Sequence, residues 1–335
     1  MPFVVTRCED TQRWNQFVDS SPQGTVFCGT PFLDALGEEY ELLLVESDHR
    51  PQLGAVVLKR NGQPIQAPYP FTMYQGILFD QTSRTMAHHS RVRWSLEVTH
   101  CLLAEMARRY DRISFCLHYG VDDLRSFQWF HYHEPAQGQF TIALRYTGLV
   151  SLASGPDLEA YLATIRKVRR YEYRRAVAEG LSVEVSTDLD TLDRLHQLTF
   201  ERQGIARDPE ERRLMLAIAD AALSHGFGEM LLCRDTHGVA ASATVFLYDR
   251  LSAYYLVAAN NPDYRKADSG TYLMIENIRR CQARGLATLD CVGINSPNRG
   301  DYKISFNAKP VPYCVVGWER PPAHARAEGS SPKGN

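Results

Sequence analysis

Hydrophobic residues in the first half of the chain change their spacing several times, and each change predicts a new element. Helical spacing over residues 11–18 predicts a short helix, and alternation over 41–47 and 53–60 predicts two strands. From 86 to 110, apolar or semi-polar residues recur on one helix face, which predicts a long helix. The period falls to two over Ile113, Phe115 and Leu117, so a strand follows that helix.

A stretch of small residues, 147–156, separates these elements from the second half and predicts a domain boundary. Asp157 follows it directly and can cap a new helix with its carboxylate. We therefore expect an N-terminal domain over residues 1–150 and a C-terminal domain over 151–320. Residues 321–335 have no apolar periodicity and are expected to form a disordered tail.

The second half predicts helices, then three meandering strands, then a helix and a final strand. Helices are expected at 158–180, 189–203, 209–224 and 269–284, and strands at 181–185, 229–234, 239–248, 252–259 and 286–292. Residues 41–58 and 229–245 both predict a strand, a polar turn and a second strand that begins with small residues. Because the two stretches lie at corresponding places in the two halves, they indicate an internal repeat.

Length and charge restrict the class of protein. A chain of 335 residues is too long for one ordinary core, and its 44% hydrophobic and 23% charged residues are typical of globular domains. The formal net charge of −2 does not fit a protein that binds nucleic acid over its whole surface, because phosphate contacts need concentrated Lys and Arg. No DNA partner is expected. The net charge does not exclude a local basic patch on the surface.

Cysteine usage and the apolar runs favour a cytoplasmic protein. The eight cysteines are scattered without a CxxC pair, which indicates reduced core residues rather than disulfides or a zinc site. No run approaches the roughly 20 apolar residues that a membrane span needs. His131 and His133 are predicted to share a strand face, but without two further ligands at a suitable spacing no metal site is expected.

Several short stretches, taken in their order and spacing, resemble the Fem family of peptidyl and aminoacyl transferases. They are WNQFV (14–18), GTVF (24–27), YQGIL (74–78), FQWF (127–130), IRKVRRYEYRR (165–175), FERQG (200–204), GINSP (293–297) and KISF (303–306). The resemblance covers about residues 14–318 and implies an α/β (α+β) fold of two GNAT-like domains. Each domain is expected to be a mixed, largely antiparallel twisted sheet flanked by helices.

The resemblance implies that an amine attacks an acyl carbonyl directly and forms an amide without a covalent enzyme intermediate. The expected donor is aminoacyl-tRNA, and the acceptor is a small or nucleotide-linked amine in peptidoglycan or specialised metabolism. An acyl-CoA-dependent N-acyltransferase is the alternative, and a non-catalytic protein that binds a phosphate ligand is a third possibility. No bound cofactor is expected besides these co-substrates.

Two departures from the family pattern count against a role in cell-wall branching. No heptad stretch corresponds to the long coiled-coil arm of the branching enzymes. Asn307 and Ala308 follow Phe306 where the family usually has glycines.

Acyl transfer needs a cation or donor at the developing oxyanion and a group that accepts a proton. Lys303, which matches the family's late lysine and follows a Gly- and Asn-rich loop, is the candidate cation; a surface lysine is the simpler interpretation. Asp290 and Tyr302 are the leading candidates for proton transfer, and Asp301, Tyr254 and Tyr255 are further candidates. Tyr74, Tyr254 and Asn295 are candidate substrate contacts.

The segment 166–175 carries six basic residues and one acid. On one helix, Arg166, Arg170 and Arg174 align at i, i+4 and i+8, where like charges repel unless an anion or solvent screens them. A solvated face explains such a run equally well. The resemblance implies that this region, with Arg169, contacts the phosphates of a nucleotide-linked acceptor.

The loop before the late helix is the candidate donor site, with Arg265, Lys266, Ser269 and Gly270 as its residues. Acetyltransferases of the GNAT type hold the CoA pyrophosphate here on a pattern Q/R-x-x-G-x-G/A, with amides at a helix N-terminus. Asp268 replaces the first glycine, and a carboxylate beside a pyrophosphate is repulsive. The alternative interpretation is that Asp268 or Ser269 simply caps the helix.

Overall fold

The computed structural model describes residues 2–153 and 157–322 and divides the chain into two compact units. The first unit contains Met1–Leu33, Gly37–Arg145 and Tyr313–Asn335, and the second contains Asp34–Leu36 and Tyr146–Pro312. The second unit resumes at Tyr146, and the expected domain boundary at residue 150 stays a prediction. The segment from Tyr313 belongs to the first unit, because its strand pairs with a strand of that unit. The tail from 323 lies outside the described residues.

The elements follow one another in a mixed α/β order. The helices are α1 (Thr11–Ser20), α2 (Thr30–Leu36), α3 (His88–Arg109), α4 (Arg125–Gln128), α5 (Leu158–Thr164), α6 (Lys167–Ala178), α7 (Leu189–Glu201), α8 (Pro209–His225), α9 (Ser269–Ala283) and α10 (Pro297–Ile304). The strands are β1 (Val4–Arg7), β2 (Glu39–Ser47), β3 (Arg50–Arg60), β4 (Gln63–Pro64), β5 (Ile77–Phe79), β6 (Arg112–Cys116), β7 (Thr141–Ser151), β8 (Ser182–Val185), β9 (Gly228–Arg234), β10 (Ala240–Tyr248), β11 (Ser252–Asn260), β12 (Thr288–Asp290) and β13 (Lys309–Glu319).

The first unit has an antiparallel sheet in the order β1-β2-β3-β4, with β5 also paired to β3. Helix α3 occurs where it was predicted and buries Val98, Leu102 and Met106 in one cluster with Leu43 and Leu53 of the sheet, whereas Val92 and Leu96 of the predicted apolar face are only half-buried. Strand β6 pairs with the end of β13 in the same unit.

The second unit has a sheet in the order β7-β12-β11-β10-β9-β8. All described neighbours are antiparallel except β11 and β12, which are parallel. Helix α9 provides the crossover between β11 and β12 and buries Met274, Ile275 and Ile278 against the sheet. The expected repeat consists of two antiparallel hairpins, β2–β3 and β9–β10, one in each unit.

The helix expected over 158–180 is two helices. Asp157 caps α5 as predicted, accepting a hydrogen bond from the Ala160 amide at 3.1 Å. The chain breaks at Arg166, which has ψ 139° and donates its backbone N–H to Ser305 O at 3.0 Å. Periodicity missed the break because a tertiary hydrogen bond to a distant residue causes it.

The buried His118 predicts an acid-sensitive first unit. Its Nδ1 accepts the Gly120 N–H at 3.0 Å, and burial lowers its pKa from 6.5 to about 4. As pH falls from 6.5 towards 4 the unfolded state gains a proton that the folded state does not, so stability decreases. We expect His118→Asn, which keeps an acceptor, to reduce the loss of unfolding free energy over that range by about 2–3 kcal/mol.

Urea unfolding monitored at several pH values measures this effect. The exposed His88 provides the control, and His88→Asn should leave the slope unchanged. If His118→Asn has the same pH dependence as the unsubstituted protein, His118 does not contribute to acid sensitivity.

Candidate active site

The parallel strands of the second unit separate after a short paired segment. β11 pairs with β12 from Ser252↔Thr288 to Tyr254↔Asp290, where β12 ends, whereas β11 continues to Asn260. The antiparallel register between β10 and β11 shifts beside this point, so that Leu256 forms a bulge. In the described chain, β11 beyond Tyr254 therefore presents an edge that β12 does not cover. A free strand edge offers N–H and C=O groups to an extended ligand.

A strained turn follows β12 at the point where β11 and β12 separate. Val292 has φ +52° and Gly293 has φ +81°. A β-branched residue rarely adopts a left-handed conformation, so the turn must be held by its surroundings. Asp290 Oδ1 accepts the Val292 N–H at 2.7 Å and the Thr147 hydroxyl, and Thr147 Oγ1 accepts the Gly293 N–H at 3.2 Å.

Lys303 also fixes this turn, because it donates hydrogen bonds to the carbonyl groups of the turn. Its Nζ donates to the carbonyls of Cys291, Val292 at 3.2 Å and Gly293 at 2.9 Å. Burial lowers the pKa of Lys303, and the ammonium also lies 5.7 Å from the centre of the Tyr255 ring. Each of the three ammonium protons therefore has a backbone acceptor, and the role of Lys303 as the cation at the oxyanion stays a prediction.

The residues before Lys303 were expected to form a loop, but residues 297–304 form α10. Pro297 occupies the first turn, where its missing N–H costs no hydrogen bond. Gly300 lets α10 approach the preceding chain closely, because a Cβ there would lie 2.5 Å from Ile294 O. The closeness of α10 to this chain places Lys303 on the turn carbonyls.

Tyr302, next to Lys303, lies where three elements converge. A Cβ at Gly270 would be 3.7 Å from Tyr302 Oη and 3.0 Å from Asn260 Oδ1, so the start of α9, the end of β11 and α10 meet there. Burial raises the pKa of Tyr302 to about 12, so the phenol is protonated at neutral pH and donates rather than accepts a proton. Its catalytic role stays a prediction.

Asp290 and Asp301 are weaker candidates for proton transfer than their positions in the sequence suggested. Asp290 is 1% exposed and accepts from Val292 and Thr147, so the structure gives it a part in fixing the turn. Asp301 forms a two-point ion pair with Arg166 at 2.6 and 2.8 Å, which lowers its pKa and its strength as a base.

Three predicted substrate contacts have packing or loop-fixing roles. Tyr74, with φ +55°, is 1% exposed and meets His118, Tyr119 and Tyr313 edge-on. Tyr254 is buried, and its hydroxyl donates to Asp249 at the hairpin turn. Asn295 is exposed, but its side chain fixes the backbone of Tyr146. Its Oδ1 accepts the Tyr146 N–H at 2.8 Å, and its Nδ2 donates to the Tyr146 carbonyl at 3.0 Å. Short motifs gave no indication of these contacts.

The basic segment does not present its arginines on one face. Arg166 precedes α6, so it does not share a helical face with Arg170 and Arg174. Arg169 turns inward, where its guanidinium lies 4.7 Å from the centre of the Tyr302 ring. Arg174 is exposed and pairs with the exposed Glu159 at 3.0 Å. Among the described residues, Lys167 and Arg170 have no ion pair.

The predicted donor loop is only partly described. Ser269 is 3% exposed and begins α9 with Gly270, whereas the side chains of Arg265 and Lys266 lie outside the described residues. Asp268 is the N-cap residue of α9, as the alternative interpretation of this loop predicted. Its carboxylate, however, makes no hydrogen bond to the helix. Its partner is Arg175 of α6.

The two histidines considered for metal binding do not lie on a strand. Residues 130–133 form a turn after α4, in which His131 has φ +54° and Nδ1 lies 3.0 Å from Gly138 O. In the part of the chain that the structure describes, no three His, Cys, Asp or Glu side chains come together to hold a metal.

The parallel pair, its crossover helix and α10 all lie in a segment that matches a known family. Residues 163–303 match the family described as acetyltransferase (GNAT) domain. This segment forms a GNAT acetyltransferase domain. The GNAT domain contains the part of β11 that β12 does not cover, the N-terminus of α9 and Lys303. By this match the chain carries an acyltransferase domain.

Solved structures extend the similarity to nearly the whole chain. FemX is 15% identical with a TM-score of 0.67, covering 94% of this chain and 97% of that chain. A tandem GNAT protein from the clavulanic acid biosynthesis pathway is 11% identical with a TM-score of 0.53, covering 96% and 100%. L-PGS from Bacillus licheniformis is 11% identical with a TM-score of 0.51, covering 93% and 92%. These likenesses show a shared double-GNAT fold, whereas no curated protein matches the sequence.

No helix in the described residues is both long and apolar enough to cross a membrane.

Proposed function

We propose that the GNAT domain transfers an acyl or aminoacyl group from an activated donor to an amine and forms an amide. The observation that carries the proposal is the part of β11 beyond Tyr254 that β12 does not cover, beside the turn held by Lys303 and Asp290. An extended acyl chain can pair with that edge, so that its carbonyl is held in one orientation for attack. The amine attacks directly, without a covalent enzyme intermediate.

The proposed donor is aminoacyl-tRNA. The Fem-like stretches imply it, and the similarity in fold to FemX and L-PGS is compatible with it. The match to an acetyltransferase family keeps acyl-CoA as the second candidate. Fold alone does not select between donors, because related folds serve many substrates.

The proposed acceptor is a small or nucleotide-linked amine that binds beside α6. Lys167 and Arg170 have no ion pair among the described residues, and Arg174 has only an exposed one, so these side chains are available to a phosphate. The eight cysteines are free thiols, which fits the reducing cytoplasm as the proposed location.

Product analysis with a panel of donors tests the function. The full chain is incubated with charged tRNA or acyl-CoA and with matched amines that carry or lack a phosphate, and amides are identified by mass spectrometry. We expect an amide from charged tRNA that disappears when the tRNA is first digested with RNase, and more product from the phosphorylated amine. Product that survives RNase excludes tRNA as the donor, and absence of product with every donor favours a binding protein.

A further inference from the structure

The N-terminus of α9 is a place where an anion would normally be stabilised. Its amides and its helix dipole favour negative charge. The cap residue Asp268 has φ +56° and ψ 24°, the left-handed conformation that glycine adopts without strain. The chain thus keeps the backbone conformation of a glycine at this position and adds a carboxylate.

Asp268 is held in place by an arginine of α6. Arg175 forms a close ion pair with it, and the Asp268 side chain is 9% exposed. Burial raises the pKa of Asp268, the hydrogen bond with Arg175 lowers it, and the charge of Glu172 raises it again. The carboxylate of Glu172 contacts Thr271, three residues after Asp268.

Glu172 brings a second carboxylate to the first turn of α9. Its Oε2 accepts the Thr271 hydroxyl at 2.7 Å and Arg169 Nη1 at 2.6 Å. Arg169 is itself fixed, because its Nε donates to Ser305 Oγ at 2.7 Å. Glu172 and Arg169 side chains are each 17% exposed, so water screens the pair weakly.

We infer that Glu172 and Asp268 engage Arg169 and Arg175 beside the N-terminus of α9 and thereby exclude a pyrophosphate-linked donor such as a CoA thioester from that end of the helix. They are specificity-determining residues for the donor, and the inference rests on the proposed acyl transfer. A pyrophosphate entering this site would have to displace the two carboxylates from Arg169 and Arg175, the cations that could otherwise receive it. These ion pairs lie where water screens them weakly, so breaking them opposes binding of a second anion.

Removal of the two charges should open the site to CoA. In the variant Glu172→Gln/Asp268→Gly, glutamine keeps an acceptor for Thr271 and glycine fits the φ of +56°. Isothermal titration with desulfo-CoA, which has the pyrophosphate but no reactive thiol, should give at least about tenfold tighter binding to this variant than to the unsubstituted chain.

Two matched variants keep the test decisive. Glu159→Gln removes an exposed carboxylate that pairs with Arg174, and it should not tighten binding. Asp268→Asn removes one charge and keeps the side-chain volume, so a gain of about threefold is expected even if the double variant folds poorly.

Equal affinity of the unsubstituted chain and the charge-removing variants for desulfo-CoA overturns the inference, as does amide formation by the unsubstituted chain from acyl-CoA. The latter result would leave the proposed acyl transfer intact. Conversely, a chain that makes no amide from any donor contradicts the proposed function, whereas the comparison of desulfo-CoA affinities would still decide whether the carboxylates exclude a pyrophosphate.

Discussion

Lys303→Ala is expected to lower turnover by at least about tenfold while the protein remains folded, because a small displacement in an active site costs this much or more. The substitution leaves the carbonyls of Cys291, Val292 and Gly293 without their shared donor. The turn with Val292 at φ +52° then loses one of its restraints and relaxes. The carbonyl of the acyl donor would then no longer be held in one orientation beside the edge of β11.

Steady-state kinetics with the donor identified by the product assay measure this loss, and hydrogen exchange over residues 291–293 should rise at the same time. Propylammonium, which replaces the missing side-chain atoms and three donors, should restore part of the rate, whereas tetramethylammonium has the charge without a donor and should not. Lys309→Ala changes an exposed lysine and provides the control. Unchanged turnover and exchange in Lys303→Ala would show that the three hydrogen bonds do not support catalysis.

Gly300→Ala is expected to lower turnover by about tenfold through the position of α10, since misplacement of a supporting element disturbs catalytic geometry. A Cβ at Gly300 would lie 2.5 Å from Ile294 O, which is a backbone atom with little freedom to move away. Helix α10 must therefore shift, and Lys303 with it. The hydrogen bonds from Lys303 to the turn carbonyls lengthen as a result.

The control for this substitution lies in the same helix. Asn298 is exposed, so Asn298→Ala adds helix propensity without a clash and should leave turnover unchanged. Thermal unfolding of both variants separates a local shift from general destabilisation. If Gly300→Ala keeps full activity, the close approach of α10 to Ile294 is not needed for the reaction.

The elements of the fold were largely predictable because their residues repeat with the period of the structure they form. The apolar face of α3 and the alternation in β2 and β3 are local signals, and both elements occur where predicted. The strands β7 and β13 were missed. Residues 142–146 of β7 are largely exposed, so they do not show the alternation of a strand with one buried face.

The candidate site was less predictable because tertiary contacts create it. Lys303 was found from the family resemblance and its neighbouring sequence, but its three carbonyl partners depend on the conformation of a turn 10–12 residues earlier. Glu172 was visible as the single acid in a basic segment, and its hydrogen bond with Thr271 spans 99 residues. The bulge at Leu256 follows from strand register, which short motifs do not encode.

Direct acyl transfer to an amine by the GNAT domain can be followed by isotope tracing. The full chain is incubated with an amine and with a donor whose acyl group carries an isotope label. Mass spectrometry during turnover then measures the masses of the amine and of the intact protein. We expect that label appears in an amide, that no mass is added to the protein, and that Lys303→Ala forms the amide at least about tenfold more slowly. Label retained on the protein, or no labelled amide from either charged tRNA or acyl-CoA, would contradict direct acyl transfer.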